Sequence, residues 1–142
     1  MANYKQLGES LFIGPQPTAQ DLDEAKQQGI RTVIDLRMPA ETASPNADLV
    51  RNSGLEYVNI PVNKAALSAG EIDELNTALE QHDGPYLLHC ATGARVALLL
   101  ALNQARHEGW TAERAFQEAE AMGYNLRSSP DFAAFVRQET GR

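Results

Sequence analysis

The segment Pro85-Tyr86-Leu87-Leu88-His89-Cys90-Ala91-Thr92-Gly93-Ala94-Arg95 decides the fold. Its first half, Pro85 to Cys90, is a short and nearly continuous apolar run that follows the chain breaker Gly84-Pro85. That is the pattern of a strand covered on both faces of a parallel sheet. Four small residues come next. From Arg95 an apolar-rich stretch reads as a helix to about Glu108, closed by Gly109. Strand, tight loop and helix thus follow one another directly.

The same alternation extends outward from this segment. Upstream, the apolar run Leu11 to Gly14 ends in the turn Gly14-Pro15-Gln16-Pro17. Thr18, with Asp21 three residues on, predicts an N-capped helix to about Gln28, stopped by Gly29. Arg31 to Arg37 is rich in β-branched residues and predicts a strand, and Met38 to Asn46, with two prolines, a loop. Ala47 to Ser53 predicts a short helix closed by Gly54, and Leu55 to Val62 another strand. Pro61 puts the end of that strand at an edge or leaving the sheet. Ser68 and Glu71 form a capping-box pattern before a helix whose apolar face is Ile72, Leu75, Ala78 and Leu79. Downstream, helices are predicted over Ala112 to Met122 and Pro130 to Glu139, the second with Ser129 as its N-cap. Repeated strand–helix units predict an α/β fold, a mostly parallel sheet with helices packed on it. In such folds ligands bind beyond the carboxyl ends of the strands, where this reading puts Cys90 as the last strand residue.

The chain has 142 residues, expected to form one domain over 1–142. At that size roughly two-thirds of the unfolded surface is buried, enough for one core. An apolar content of 43% and a charged content of 22% exclude a disordered, collagen-like or coiled-coil chain. A net charge of −7 would repel a phosphate backbone, so no nucleic-acid partner is expected. The longest wholly apolar run, Val96 to Leu102, is far short of the roughly 20 residues that span a bilayer, so no membrane partner is expected either. The opening MANYKQLGES has no signal-type apolar stretch, and a cytoplasmic location is the expectation. Trp110, Phe116, Phe132 and Phe135 fall at helical spacings and are expected in the core.

Cys90 is the one cysteine, which excludes an intramolecular disulfide and a Cys-based zinc site. His82 and His107 sit near helix C-termini without a second ligand at useful spacing, so neither a metal nor another cofactor is expected. A lone cysteine is most often a small buried hydrophobe. Here the context argues for more. The backbone of Ala91, Thr92, Gly93 and Ala94 can turn successive N–H groups inward as an anion nest. The helix that follows adds its positive end, and Arg95 adds a planar fork matched to a tetrahedral oxyanion. A thiol in that field loses its proton readily. Nucleophile and anion cradle therefore share one short segment.

This segment resembles the signature of the cysteine-dependent phosphatases, His-Cys-x-x-Gly-x-x-Arg. The order of GPQPTAQDLDEAKQQGIRTVIDLR (14–37), then Glu41, GLEYVNIPV (54–62) and GPYLLHCATGAR (84–95) is similar to the bacterial β-lactamase-hydrolase-like, phosphatase-like family, over roughly residues 10–125. The resemblance implies a dual-specificity-phosphatase-like fold, with four or five mainly parallel strands flanked by helices. It implies Cys90 as nucleophile, Arg95 as phosphate binder and the backbone of residues 91–94 as cradle. His89 matches the residue that orients the loop and helps ionise the thiol; bonding to a backbone carbonyl is the plainer reading of a histidine there.

Three departures bear on the chemistry. Only four residues separate Cys90 from Arg95, where tyrosine phosphatases have five and rhodanese-type sulfurtransferases four. Val96 stands where phosphatases carry a hydroxyl that eases thiolate departure. Asn63, in Ile60-Pro61-Val62-Asn63-Lys64, cannot serve as the acid that the loop after this strand supplies in phosphatases. Glu71 and Asp73 fit first-turn helix positions better than an acid role. Asp35 and Glu41 lie at and after a strand end; Asp35 is a catalytic acid or, better, an arginine's structural partner. Arg37 reads as a second positive charge at the mouth or as a surface residue, and Gln16 as facing the same mouth or as turn chemistry. Three functions fit: a phosphatase acting through a phosphocysteine, a sulfurtransferase acting through a Cys90 persulfide, and a non-catalytic anion-binding module. The first is the leading expectation. The expected partner is a small phosphorylated or sulfur-bearing substrate, or a phosphoprotein.

Overall fold

Tyr86–His89 forms β5, and its apolar run is explained by its place at the centre of the sheet. The computed structural model describes residues 4–38 and 46–140. The strands are β1 (Lys5–Leu7), β2 (Leu11–Gly14), β3 (Thr32–Asp35), β4 (Glu56–Asn59) and β5, in the order β1-β2-β5-β3-β4. All neighbours pair in parallel except β1 with β2. The register sets Gly14, Asp35 and His89 side by side at one end of the sheet, with Asn59 beyond Asp35.

The helices are α1 (Ala19–Gln27), α2 (Asn46–Asn52), α3 (Ala69–Gln81), α4 (Ala94–Glu108), α5 (Ala112–Ala121) and α6 (Pro130–Thr140). Successive strand residues point to opposite faces, so each strand feeds two cores. Phe12, Val33 and Leu87 pack with Leu22 and Ala25 of α1 and Val50 of α2. Ile13, Ile34 and Leu88 pack on the other face with α3, α4, α5 and α6. Every residue from Val96 to Leu102 is buried, which makes α4 the central helix of that larger core. No helix among the described residues is long and apolar enough to cross a membrane.

Local signals translate directly into several elements. Thr18 and Asp21 form a reciprocal capping box at the start of α1. β4 is an edge strand and ends at Asn59, before Pro61, as a residue without an N–H requires. Two expectations are corrected, and one strand is added. Ser68 is the N-cap of α3, but its hydroxyl bonds the Glu71 carboxylate instead of a backbone N–H. β5 ends at His89, so Cys90 lies just past the strand, in the loop. β1 has no counterpart in the sequence reading: its three residues carry no burial pattern, and they are held by pairing with β2, by Leu7 against the core and by a bond from Lys5 to the Ala121 carbonyl. The predicted loop from Met38 lies mostly outside the described residues.

Candidate active site

Cys90 leaves β5 at the carboxyl end of the sheet and is 1% exposed. The chain then turns within three residues into α4. Gly93 is the N-cap of α4 and takes a φ of 103°, a conformation that a side chain disfavours. This turn aims the Gly93 N–H at Cys90 Sγ, 3.0 Å away. The Ala94 N–H turns to Thr92 Oγ1 at 3.3 Å, so the loop binds part of itself as well as its sulfur. Tyr124, which follows α5, donates its hydroxyl to the Thr92 carbonyl at 2.9 Å and braces the loop. Burial raises the Tyr124 phenol above its ordinary value, and negative charge at Cys90 adds to that.

Arg95 lies in the first turn of α4 and donates from Nη1 to the Val62 carbonyl at 3.0 Å. That bond ties the start of α4, just after the Cys90 loop, to the segment leaving β4. Asn63 accepts the Ala65 N–H at 2.9 Å and caps a short 3-10 turn, Lys64–Ala66. Between these parts lies a pocket of about 480 Å³. Ala91, Thr92, Ala94 and Arg95 form one side, and Met38, Val62, Asn63, Lys64 and Phe132 the other. Lys64 Nζ stands 5.3 Å from the Phe132 ring centroid. The loop that follows Cys90, the N-terminus of α4 and two cations therefore meet at one pocket.

Behind the loop is a buried polar cluster. Asp35 accepts from Arg37 through the backbone N–H at 2.9 Å, Nε at 3.0 Å and Nη2 at 3.1 Å. Tyr57 donates its hydroxyl to the same carboxylate at 2.7 Å. Asn59 ties the two loop carbonyls of Asp35 and Arg37 together. Burial would raise the Asp35 carboxyl, but the Arg37 hydrogen bonds, the nearby His89 and the Tyr57 hydroxyl outweigh it and hold the group below its usual range. His89 Nδ1 lies 3.8 Å from Asp35. Burial, aided by Arg37, pushes His89 down to about 4 against the pull of Asp35 and of a hydrogen bond with the Cys90 backbone.

Three site expectations change as a result. Arg37 is neither a cation at the mouth nor a surface residue: it is 1% exposed and folded back on Asp35. A buried carboxylate is costly without a partner, and Arg37 is the cation two residues away. His89 is neutral at pH 7 and lends the thiol no positive charge; it lies buried at the end of β5. Gln16 is exposed and does not line the pocket. Glu71 bonds Ser68 and Asp73 pairs with Arg106, as helix-surface residues do. Val96 is fully buried in the core. Glu41 lies outside the described residues.

Sequence reasoning missed Tyr124 and the part played by Lys64 and Phe132. Phe132 is buried, as expected, yet one side of it faces the pocket. Trp110 is only half-buried and carries Arg114 over its ring, 4.9 Å from the centroid.

A parallel sheet whose central strand runs into a cysteine loop and a helix N-terminus defines a tyrosine- and dual-specificity-phosphatase-like fold. More narrowly, residues 3–107 match the family described as beta-lactamase hydrolase-like protein, phosphatase-like domain, and the chain belongs to that family. The beta-lactamase hydrolase-like protein of Xylella fastidiosa (strain Temecula1 / ATCC 700964) is 29% identical over 125 residues, 84% of this chain. The match covers 29% of that protein, so the chain spans under a third of the curated relatives' length. An inferred phosphatase of Neisseria meningitidis z2491 superposes with a TM-score of 0.79 at 26% identity, covering 98% of this chain and 99% of that one. A TpbA variant of P. aeruginosa in complex with pTyr gives 0.71 at 16% identity, over 99% of this chain and 91% of that one.

Proposed function

We propose that this protein is a cysteine-dependent phosphatase. Cys90 Sγ attacks phosphorus as a thiolate, the Sγ–P bond forms, and the P–O bond to the leaving group breaks. Arg95 and the loop N–H groups hold the phosphoryl oxygens, whose charge spreads in the transition state. Water then attacks the phosphocysteine, releasing inorganic phosphate and restoring the thiolate. The catalytic residues are Cys90 and Arg95; His89 positions the loop from below. All of this is carried by one domain, residues 1–142.

The observation that carries the reading is the Gly93 N–H held 3.0 Å from Cys90 Sγ, beside a pocket with Arg95 on its wall. A backbone donor aimed at the sulfur, with a guanidinium close by, supports anion binding beside it. The neighbouring structure with pTyr supports a phosphomonoester, free or on a protein, as the substrate. The shortened loop keeps sulfur transfer as the competing chemistry. A paired assay separates the two: p-nitrophenyl phosphate hydrolysis against thiosulfate-to-cyanide sulfur transfer, with Cys90→Ser as the control. The expected result is phosphate release that Cys90→Ser abolishes. Sulfur transfer dependent on Cys90, without phosphate release, would overturn it, as would the absence of both with anion binding retained.

A further inference from the structure

On the reading of Cys90 and Arg95 just given, we infer that Lys64 neutralises the leaving group, so that the site acts on aryl phosphates and discriminates against alkyl phosphomonoesters. In-line displacement puts the leaving oxygen on the far side of phosphorus from Sγ. Cys90 is buried, and Ala91, Thr92, Ala94 and Arg95 of the loop that follows it form one side of the pocket, so an ester held on that loop has its leaving oxygen toward the opposite wall and the mouth. The wall carries Lys64 and, among the described residues, no aspartate or glutamate. Asn63, beside it, cannot donate a proton as an acid, and its side-chain oxygen is engaged in capping the turn. With no carboxylic acid on the described wall to protonate it, the leaving group departs carrying negative charge, which a phenol tolerates far better than an aliphatic alcohol.

Lys64 is placed for that charge. It lies two residues past Val62, whose carbonyl is held by the Arg95 guanidinium, so the backbone that carries Lys64 is tied to Arg95. Its Nζ stands over the ring of Phe132, 5.3 Å from the centroid. Lys64, Ala94 and Phe132 also line an adjoining hollow of about 340 Å³ that reaches Tyr124 and Ser129. Pocket and hollow share these three residues, and Phe132 offers an aromatic face to an aryl group passing between them. In the step itself the Sγ–P bond forms and the P–O(aryl) bond breaks with its electron pair on oxygen. The ammonium offsets the aryloxide charge, and the aryloxide takes its proton from water after it departs.

The test compares kcat/KM for p-nitrophenyl phosphate, phenyl phosphate and glycerol 2-phosphate in the wild type, Lys64→Gln and Lys64→Arg. Lys64 is exposed, so neither variant threatens the fold. Lys64→Gln should slow phenyl phosphate about tenfold more than p-nitrophenyl phosphate, whose anion needs less help, while Lys64→Arg stays near wild type. Glycerol 2-phosphate should be the poorest wild-type substrate. Equal losses on both aryl esters would overturn the inference and leave the phosphatase reading standing. So would glycerol 2-phosphate turning over like phenyl phosphate, or the selective loss arising from Glu41→Gln instead. Hydrolysis that persists in Cys90→Ser would overturn the phosphatase reading, and this one with it.

Discussion

Gly93→Ala tests the loop geometry on which the whole site rests. At Gly93 the backbone φ is 103°, and a Cβ there would press on Tyr124, whose Cζ would lie 2.6 Å away. Holding a non-glycine residue in that conformation costs about 1–2 kcal/mol. Tyr124 can swing aside only by giving up its 2.9 Å hydrogen bond to the Thr92 carbonyl, which contributes about 1 kcal/mol. The two terms predict a loss of about 2–3 kcal/mol, or roughly 5–10 °C in Tm for a chain of this size. The larger consequence is functional. The Gly93 N–H that points at Cys90 Sγ moves with the loop, and a displacement of about 1 Å costs about 100-fold in turnover. Thermal denaturation and p-nitrophenyl phosphate kinetics measure the two effects. A cycle with Tyr124→Ala separates them: removing the ring should recover about 1 kcal/mol of the Gly93→Ala penalty and leave the backbone strain. A Gly93→Ala protein with wild-type Tm and wild-type turnover would refute the account of the loop.

Asp35→Asn should cost about 3–5 kcal/mol in a urea titration, because it leaves the buried Arg37 guanidinium without its carboxylate. Stability should fall as pH drops from about 6.5 to about 4: the unfolded chain protonates His89 at its ordinary value, while the folded chain resists until about 4. That one group contributes about 3 kcal/mol over the interval, and His89→Gln should flatten the curve there. The depressed Asp35 carboxyl acts in the same direction at lower pH, its stabilisation being lost as pH falls through its folded value. Arg95→Lys should reduce kcat/KM for p-nitrophenyl phosphate about 10²–10³-fold, nearly as much as Arg95→Ala, because an ammonium cannot replace the planar fork. Near-normal turnover in Arg95→Lys would remove Arg95 from anion binding.

What the sequence determined by itself was everything held by short-range rules. The apolar run before Cys90, the β-branched run Thr32–Asp35 and the glycines and caps between them give an alternating α/β chain with the cysteine at the carboxyl end of a buried strand. The loop itself was legible too, because its small residues, Gly93 and Arg95 lie within six positions of Cys90 and obey local backbone and helix-end physics. The tertiary structure alone decided which distant groups complete the site. Arg95 reaches a carbonyl 33 residues away and Tyr124 braces one 32 residues away, and no periodicity encodes such a pairing. Phe132 read as a core aromatic and Lys64 carried no signal of its own until packing set them on one wall. Arg37 and His89 changed meaning for a single reason. At the buried end of a central parallel sheet, a charge must find its partner or be given up, so Arg37 turned inward to Asp35 and His89 stayed neutral.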